Sequence, residues 1–351
     1  MWNPPADLRQ RWIAEDFQLE HVAMDAFRGG RLDRSGLGLY EGRVDMRAFD
    51  TPPSRAAGVL PGNRGGILDF LKRAGGKGWI TLQNTRLESV DFTHARLPGL
   101  TFHRVTFVDC LFDRGDLDNV KFGACRFEHC SFARAELSVV SLGQIGTPLG
   151  RPLPSQFIDC QFANATLGFT FSWGSEFTSC DFSRTRFRDT RWYGSRFVDC
   201  TFEGEIKGSE FWSTDERARV PRRPDMLDGV DLSRTSLVEC EFHGLNFDRT
   251  VFPRDINHLV VEDFPCFLEH TVALLADHKT KAGEFTFSSM TRELGRLGPA
   301  QRRGVINLSD VVDPWPADGQ VELAAAFDQA LTECGQAGSV ASRRNRPEQG
   351  V

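Results

Sequence analysis

From Leu82 onward an apolar residue returns at every fifth position: Leu82, Leu87, Phe92, Leu97, Phe102, Phe107, Phe112, Leu117, Phe122, Phe127, Phe132, Leu137 and Leu142. The same phase resumes at Phe157, Phe162 and Leu167. It runs again from Phe177 through Phe182, Phe187, Trp192 and Phe197 to Phe202, and a last time from Leu227 through Leu232, Leu237, Phe242 and Phe247 to Phe252. A small or medium side chain stands two residues before most of these centres, as at Val90, Ala95, Val105, Cys110, Gly115, Cys125, Cys130, Ala135, Cys160, Thr185, Thr190, Cys200 and Thr235. Residues two apart in an extended chain point to one side, so each pentad sends one small and one large side chain inward and three residues outward. At about 100° per residue an α-helix would rotate successive centres by roughly 140°, which builds no continuous face. A chain that keeps its centres on one axis bends every five residues and coils.

Segments such as VDFTH, ARLPG, CRFEH, CSFAR and VDLSR carry the pattern most plainly, and they resemble the pentapeptide-repeat family. The resemblance implies an all-β solenoid, a right-handed quadrilateral β-helix with four pentads per coil; the sequence outside the repeat adds helical N- and C-terminal regions. The in-phase pentads from 82 to 252 make about seven coils, and at the ~4.8 Å spacing of neighbouring strands the rod is roughly 34 Å long.

Two stretches leave the phase. Residues 143–156 are rich in Gly and Pro, and residues 203–226 combine Pro with four arginines, so both read as loops projecting from the coil. Residues 1–81 form an N-terminal cap region, with helices expected near 6–28 and 66–73 and pentad-like steps around Val44 and Phe49. Beyond Phe252 the periodicity is helical over 253–336, and residues 337–351 read as a disordered tail. End regions cover the unpaired strand edges of a terminal coil; the C-terminal helices could also carry a homodimer.

Composition adds restrictions. The chain has 351 residues and a net charge of −6, too mild to announce a nucleic-acid binder. No signal-peptide core or membrane-length apolar run is visible, so the reading is a cytoplasmic protein without a membrane partner. Seven of the nine cysteines fall in the small-residue slot, which makes Cys110, Cys125, Cys130, Cys160, Cys180, Cys200 and Cys240 expected buried thiols. No CxxC pair, HExxH, GxSxG or P-loop pattern occurs. The chain is therefore read as no enzyme, with no catalytic residues, no cofactor and no metal.

The resemblance carries a functional alternative. Looped pentapeptide-repeat proteins with a DNA-like shape and charge bind type II topoisomerases and protect DNA gyrase from poisons. Residues 82–252 hold 24 acidic and 20 basic side chains, a net of −4 where duplex DNA of that length carries about 20 charges. Mimicry would need one acidic face, with Asp109, Asp113, Asp116 and Asp118 as candidates, while Arg184, Arg186, Arg188, Arg191 and Arg196 work against it. The leading expectation is a protein-binding scaffold with an unidentified protein partner and no direct nucleic-acid binding. Its candidate interface begins where the repeat breaks: Thr170 and Ser172 take the inward slots and throw Phe169, Phe171 and Trp173 outward, at a cost unless something packs on them. The second loop adds Phe211, Trp212, Arg217, Arg219, Arg222 and Arg223 as candidate contacts. Either a loop or a partner is expected to cover the aromatic cluster.

Overall fold

The computed structural model describes residues 4–13, 37–50, 81–143, 153–215, 220–337 and 340. Short strands, most of two or three residues, follow one another along the chain and pair in parallel with strands one coil away, forming a β-solenoid. The first face carries the longest ladder, eight strands, in which the centres Leu82, Phe102, Phe122, Leu142, Ser172, Trp192, Phe211 and Phe242 lie one above another. The second face stacks Leu87, Phe107, Phe127, Phe157, Phe177 and Phe197. The third runs through Phe92, Phe112, Phe132, Phe162, Phe182 and Phe202, and the fourth includes Leu167, Phe187, Ile206 and Leu237.

Every expected Phe and Leu centre is buried in one continuous core. The rings stack at strand spacing: Phe107, Phe127, Phe157 and Phe177 succeed one another with centroids 4.7, 4.6 and 4.7 Å apart, and Phe112, Phe132, Phe162 and Phe182 at 4.9 Å each. The chain turns after each strand through a residue two past the centre. That residue has φ near +50 to +60° at non-glycine positions such as Asn84, Asp109, Arg134 and Phe169. At one such corner glycine is required: a Cβ on Gly194 would lie 2.5 Å from Val220. Gly143, one past the centre Leu142, is glycine for the same reason, since a Cβ there would lie 2.5 Å from the Trp173 carbonyl oxygen.

The seven slot cysteines are free thiols, six of them buried and Cys240 partly so. Cys110, Cys130, Cys160, Cys180 and Cys200 share the slot before the third face and form one column. Burial pushes the Cys125 and Cys240 thiols up to about 12.

Residues 203–226 are not a single loop, as their composition suggested. The strand Thr201–Lys207 continues the coil and Glu210–Trp212 adds another strand, so the insertion begins only after Trp212. One residue is missing from this pentad, which moves the centres to Ile206 and Phe211 and hides them from a fixed five-residue count. The first insertion lies between Leu142 and Phe157, with residues 144–152 outside the described residues. Both insertions leave the coil at the same corner, between the first and second faces.

At the N-terminal end, helix α1 (Ala6–Ile13) places Trp12 edge-on against Phe49, and Trp12 Nε1 donates to the Arg47 carbonyl at 2.7 Å. Val44 pairs with Val90, so the coil starts early, as the steps around Val44 and Phe49 indicated. The expected helix at 66–73 and the rest of 14–36 and 51–80 lie outside the described residues.

The C-terminal region contains helices α2 (Phe264–Leu274), α3 (Lys281–Leu294) and α4 (Ala317–Glu333). It is not purely helical: His258–Val261 and Gly304–Asn307 form an antiparallel pair that the sequence reading missed. This region completes the hydrogen bonding of the last coil. Leu237 N donates to His258 Nε2 at 3.1 Å and Asn307 Nδ2 donates to the Leu237 carbonyl at 2.7 Å. Gly244 N donates to Gln301 Oε1 at 2.8 Å, while Gln301 Nε2 reaches the Phe242 carbonyl at 3.3 Å and Arg303 Nη1 the Phe247 carbonyl at 2.7 Å. Side chains thus replace the strand that would otherwise pair there. Among the described residues no helix is long and apolar enough to cross a membrane.

Candidate interaction face

The outward position just past each centre of the first face holds Trp173, Tyr193, Trp212 and His243 in four successive coils. Parallel register alone aligns these side chains. Phe171 and Trp173 stack at 5.8 Å, and Trp173 and Tyr193 at 6.0 Å. At the upper end Trp212 lies 3.7 Å from the His243 ring, with Arg296 of the C-terminal region over it at 5.4 Å. The lower end is open among the described residues. Arg191 lies 5.7 Å from the Phe171 ring, and Phe169, on its positive-φ corner, is 56% exposed. Val139 takes the equivalent corner one coil below and is also exposed.

The break at Ser172 has an internal explanation. Ser172 is fully buried, and its hydroxyl meets the Ser195 hydroxyl at 2.7 Å. Its neighbour in the column is Trp192, also fully buried, whose Nε1 donates to Thr190 Oγ1 at 2.8 Å. A small centre beside a large one conserves core volume, so the polar residue is no vacancy awaiting cover from outside. Thr170 is likewise satisfied, donating to the Leu137 carbonyl at 3.0 Å.

The other candidates separate. Phe211 is only 2% exposed and stacks between Trp192 and Phe242, which corrects its assignment as a contact residue: the one-residue phase shift makes it a core centre. Trp212 is half-buried, in the aromatic column but under the C-terminal region. Arg222 is exposed, Arg223 is tied to Glu176, and Arg217 and Arg219 lie outside the described residues.

Asp109, Asp113, Asp116 and Asp118 do not make one acidic face, because five-residue pentads send them around successive corners and faces. Asp109 holds Arg43, with Nη2 to Oδ1 at 2.8 Å, and that guanidinium lowers its carboxyl pKa. Asp113 accepts from the Ala133 amide at 2.9 Å, Asp116 pairs with Arg96 at 3.3 Å, and Asp118 accepts from the Ser138 amide at 3.1 Å. Burial raises the Asp118 carboxyl pKa. The arginines interleave with acids as well: Arg191 pairs with Glu210 at 3.0 Å and Arg196 with Asp225 at 3.1 Å.

One group of metal-type donors exists among the described residues, Cys266, His270 and Cys334, away from the coil. No short motif marks it, because only Cys266 and His270 are close in sequence.

Residues 155–191 and 226–252 match the family model of pentapeptide repeats, in eight copies. Among solved structures the chain is similar to HetL, a pentapeptide-repeat protein involved in heterocyst differentiation regulation from the cyanobacterium Nostoc sp. strain PCC 7120. The identity is 13%, over 54% of this chain and 94% of that one, with a TM-score of 0.25. It is similar to QnrB1, a plasmid-mediated fluoroquinolone resistance protein, at 18% identity over 46% of this chain and 82% of that one, with a TM-score of 0.21. The pentapeptide-repeat protein Rfr23 from the cyanobacterium Cyanothece 51142 aligns at 11% identity over 53% and 99% of the two chains, with a TM-score of 0.16. No curated protein sequence matches. The eight matched repeats, together with the five-residue phase of the core, make the coiled part of this chain a pentapeptide-repeat β-helix.

Proposed function

We propose that this protein is a non-enzymatic protein-binding module, cytoplasmic, whose β-helix presents the open end of the aromatic column to a protein partner. The observation that carries the reading is the run Phe169, Phe171, Trp173 and Tyr193 on one face. These side chains are not needed to fill the core, and Trp173 and Tyr193 stand beside the corner from which both insertions leave. Aromatic rings with an exposed edge are characteristic anchors of protein interfaces. A photo-crosslinking residue at position 169 identifies the partner, with position 114 as control. The Phe171→Ser, Trp173→Ser double variant should then lose at least tenfold in affinity for that partner with an unchanged unfolding midpoint. A lowered midpoint with unaltered affinity would make the cluster an internal anchor and overturn the reading.

The second reading is a DNA-mimicking modulator of DNA gyrase. Two insertions on the coil, as in the looped topoisomerase-binding members of the family, favour it; the dispersal and pairing of Asp109, Asp113, Asp116 and Asp118 weigh against it. Protection of gyrase supercoiling from a fluoroquinolone would establish it over a generic scaffold. Homodimerisation through the C-terminal helices belongs to the same proposal, since Phe285 of α3 and Val321 of α4 are exposed there. Light scattering on the purified chain reads its mass.

A further inference from the structure

The two cysteines outside the pentad slots meet where α2 begins and α4 ends. Cys266 is in the first turn of α2, its amide donating to the capping Asp263 carboxylate at 3.2 Å, and Cys334 closes α4. Their sulfurs are joined as a disulfide that spans 68 residues of sequence. His270 follows Cys266 by one turn on the same side of α2, and donor atoms of Cys266, His270 and Cys334 all lie within 4.8 Å of one another. Beside Cys334, Glu333 accepts from His270 Nδ1, and Gln329 Nε2 holds the other carboxylate oxygen at 2.9 Å.

A disulfide accounts for the two sulfurs but not for an imidazole set against them with a positioned carboxylate. A carboxylate on one ring nitrogen fixes the tautomer and leaves the other nitrogen's lone pair to a metal, the usual setting of a ligating histidine. Two thiolates and an imidazole are zinc donors, and at Zn–S bonds of about 2.3 Å two sulfurs of a tetrahedral site stand about 3.8 Å apart. All three residues are half-buried, so an ion has access.

We propose that Cys266, His270 and Cys334 form a redox-gated zinc site, a disulfide when oxidised and a three-ligand zinc centre when reduced. A dithiol reductant gives two electrons and two protons to the disulfide and becomes a disulfide itself. Zinc then binds the two sulfurs and displaces their protons to solvent. In reverse, a low-molecular-weight disulfide takes two electrons from the zinc-bound thiolates and two protons from solvent, leaves as two thiols, and frees the ion. The site joins the start of α2 to the end of α4 in the region that covers the last coil.

The test uses the full chain, reduced and desalted without oxygen, titrated with Co²⁺ as a spectroscopic stand-in for zinc. One equivalent should bind with a thiolate-to-cobalt absorption band, and one equivalent of Zn²⁺ should abolish it. Oxidised glutathione should release the bound metal stoichiometrically. The Cys266→Ser, Cys334→Ser variant keeps all seven coil thiols and should show no band. His270→Ala keeps every cysteine; it should weaken binding at least tenfold while the disulfide still forms, as read by mass spectrometry. Absence of the band in reduced wild-type protein, its survival in the double variant, or undiminished binding by His270→Ala would each overturn the proposal. Should the double variant fail to fold, His270→Ala and the wild-type titration still decide.

Discussion

Ser172 shows how a residue that breaks the repeat can still obey the packing rule behind it. The rule is a filled column, not a large side chain in every pentad, and Trp192 supplies the volume that Ser172 gives up. Restoring the pattern should therefore harm the protein. Ser172→Leu would put three further carbons against a fully buried indole and strip Ser195 of its hydroxyl partner at 2.7 Å, a loss of about 1–3 kcal/mol from overpacking and about 1 kcal/mol from the hydrogen bond. Urea denaturation measures it, and a variant as stable as the wild type would mean that the column has room to spare. The exposed rings nearby follow from position: Phe169 is on a corner, and Phe171 and Trp173 flank an inward centre, so alternation alone turns them outward.

At the scale of elements, the coil was legible in sequence because its signal repeats. Each centre from Leu82 to Leu142 votes for the same phase, and one Ser cannot outvote it. The strand around Ile206 and Phe211 was not legible because a single missing residue shifts the phase, after which neighbouring Gly and Pro make the segment read as a loop. The antiparallel pair His258–Val261 and Gly304–Asn307 was hidden for another reason: two four-residue strands with 42 residues between them leave no local period. The metal-type cluster was hidden likewise, as Cys334 reaches Cys266 only through the packing of α4 on α2.

That same C-terminal region supplies the clearest test of how a solenoid end is closed. Gln301 is 2% exposed and satisfies both Gly244 N–H and the Phe242 carbonyl. Gln301→Leu keeps the bulk and removes both partners, leaving a buried donor and acceptor at about 1–3 kcal/mol each. A loss of about 2–6 kcal/mol is expected, together with faster hydrogen exchange at Gly244. An effect below about 0.5 kcal/mol would show that water replaces the side chain.

For the molecule as a whole, the two ends of the core are closed by different means. The C-terminal end is covered by a folded region with its own core, built from α2, α3, α4 and the strand pair. The described part of the N-terminal end includes Trp12 against Phe49 and two long-range ion pairs, Arg96 with Asp50 and the closer Arg43 with Asp109. The closer pair has a pH signature. The Arg43 guanidinium holds the Asp109 carboxyl below its ordinary value, so the folded state binds the proton less tightly than the unfolded chain does. The stabilisation is fully present above the ordinary carboxylate value near 3.9 and is lost as pH falls through the lower folded value. Asp109→Asn isolates this contribution, since asparagine tolerates the φ of +53° at that corner. Melting temperatures should differ between wild type and variant at pH 6 and converge toward pH 2.5, because the protonated wild type then resembles the amide. Asp109 is nearly half exposed, and solvent screens such pairs, so raising the salt should shrink the gap at pH 6. A gap that persists unchanged at pH 2.5 would place the contribution of Asp109 in its hydrogen bond to Ser89 or its backbone, and not in the ion pair.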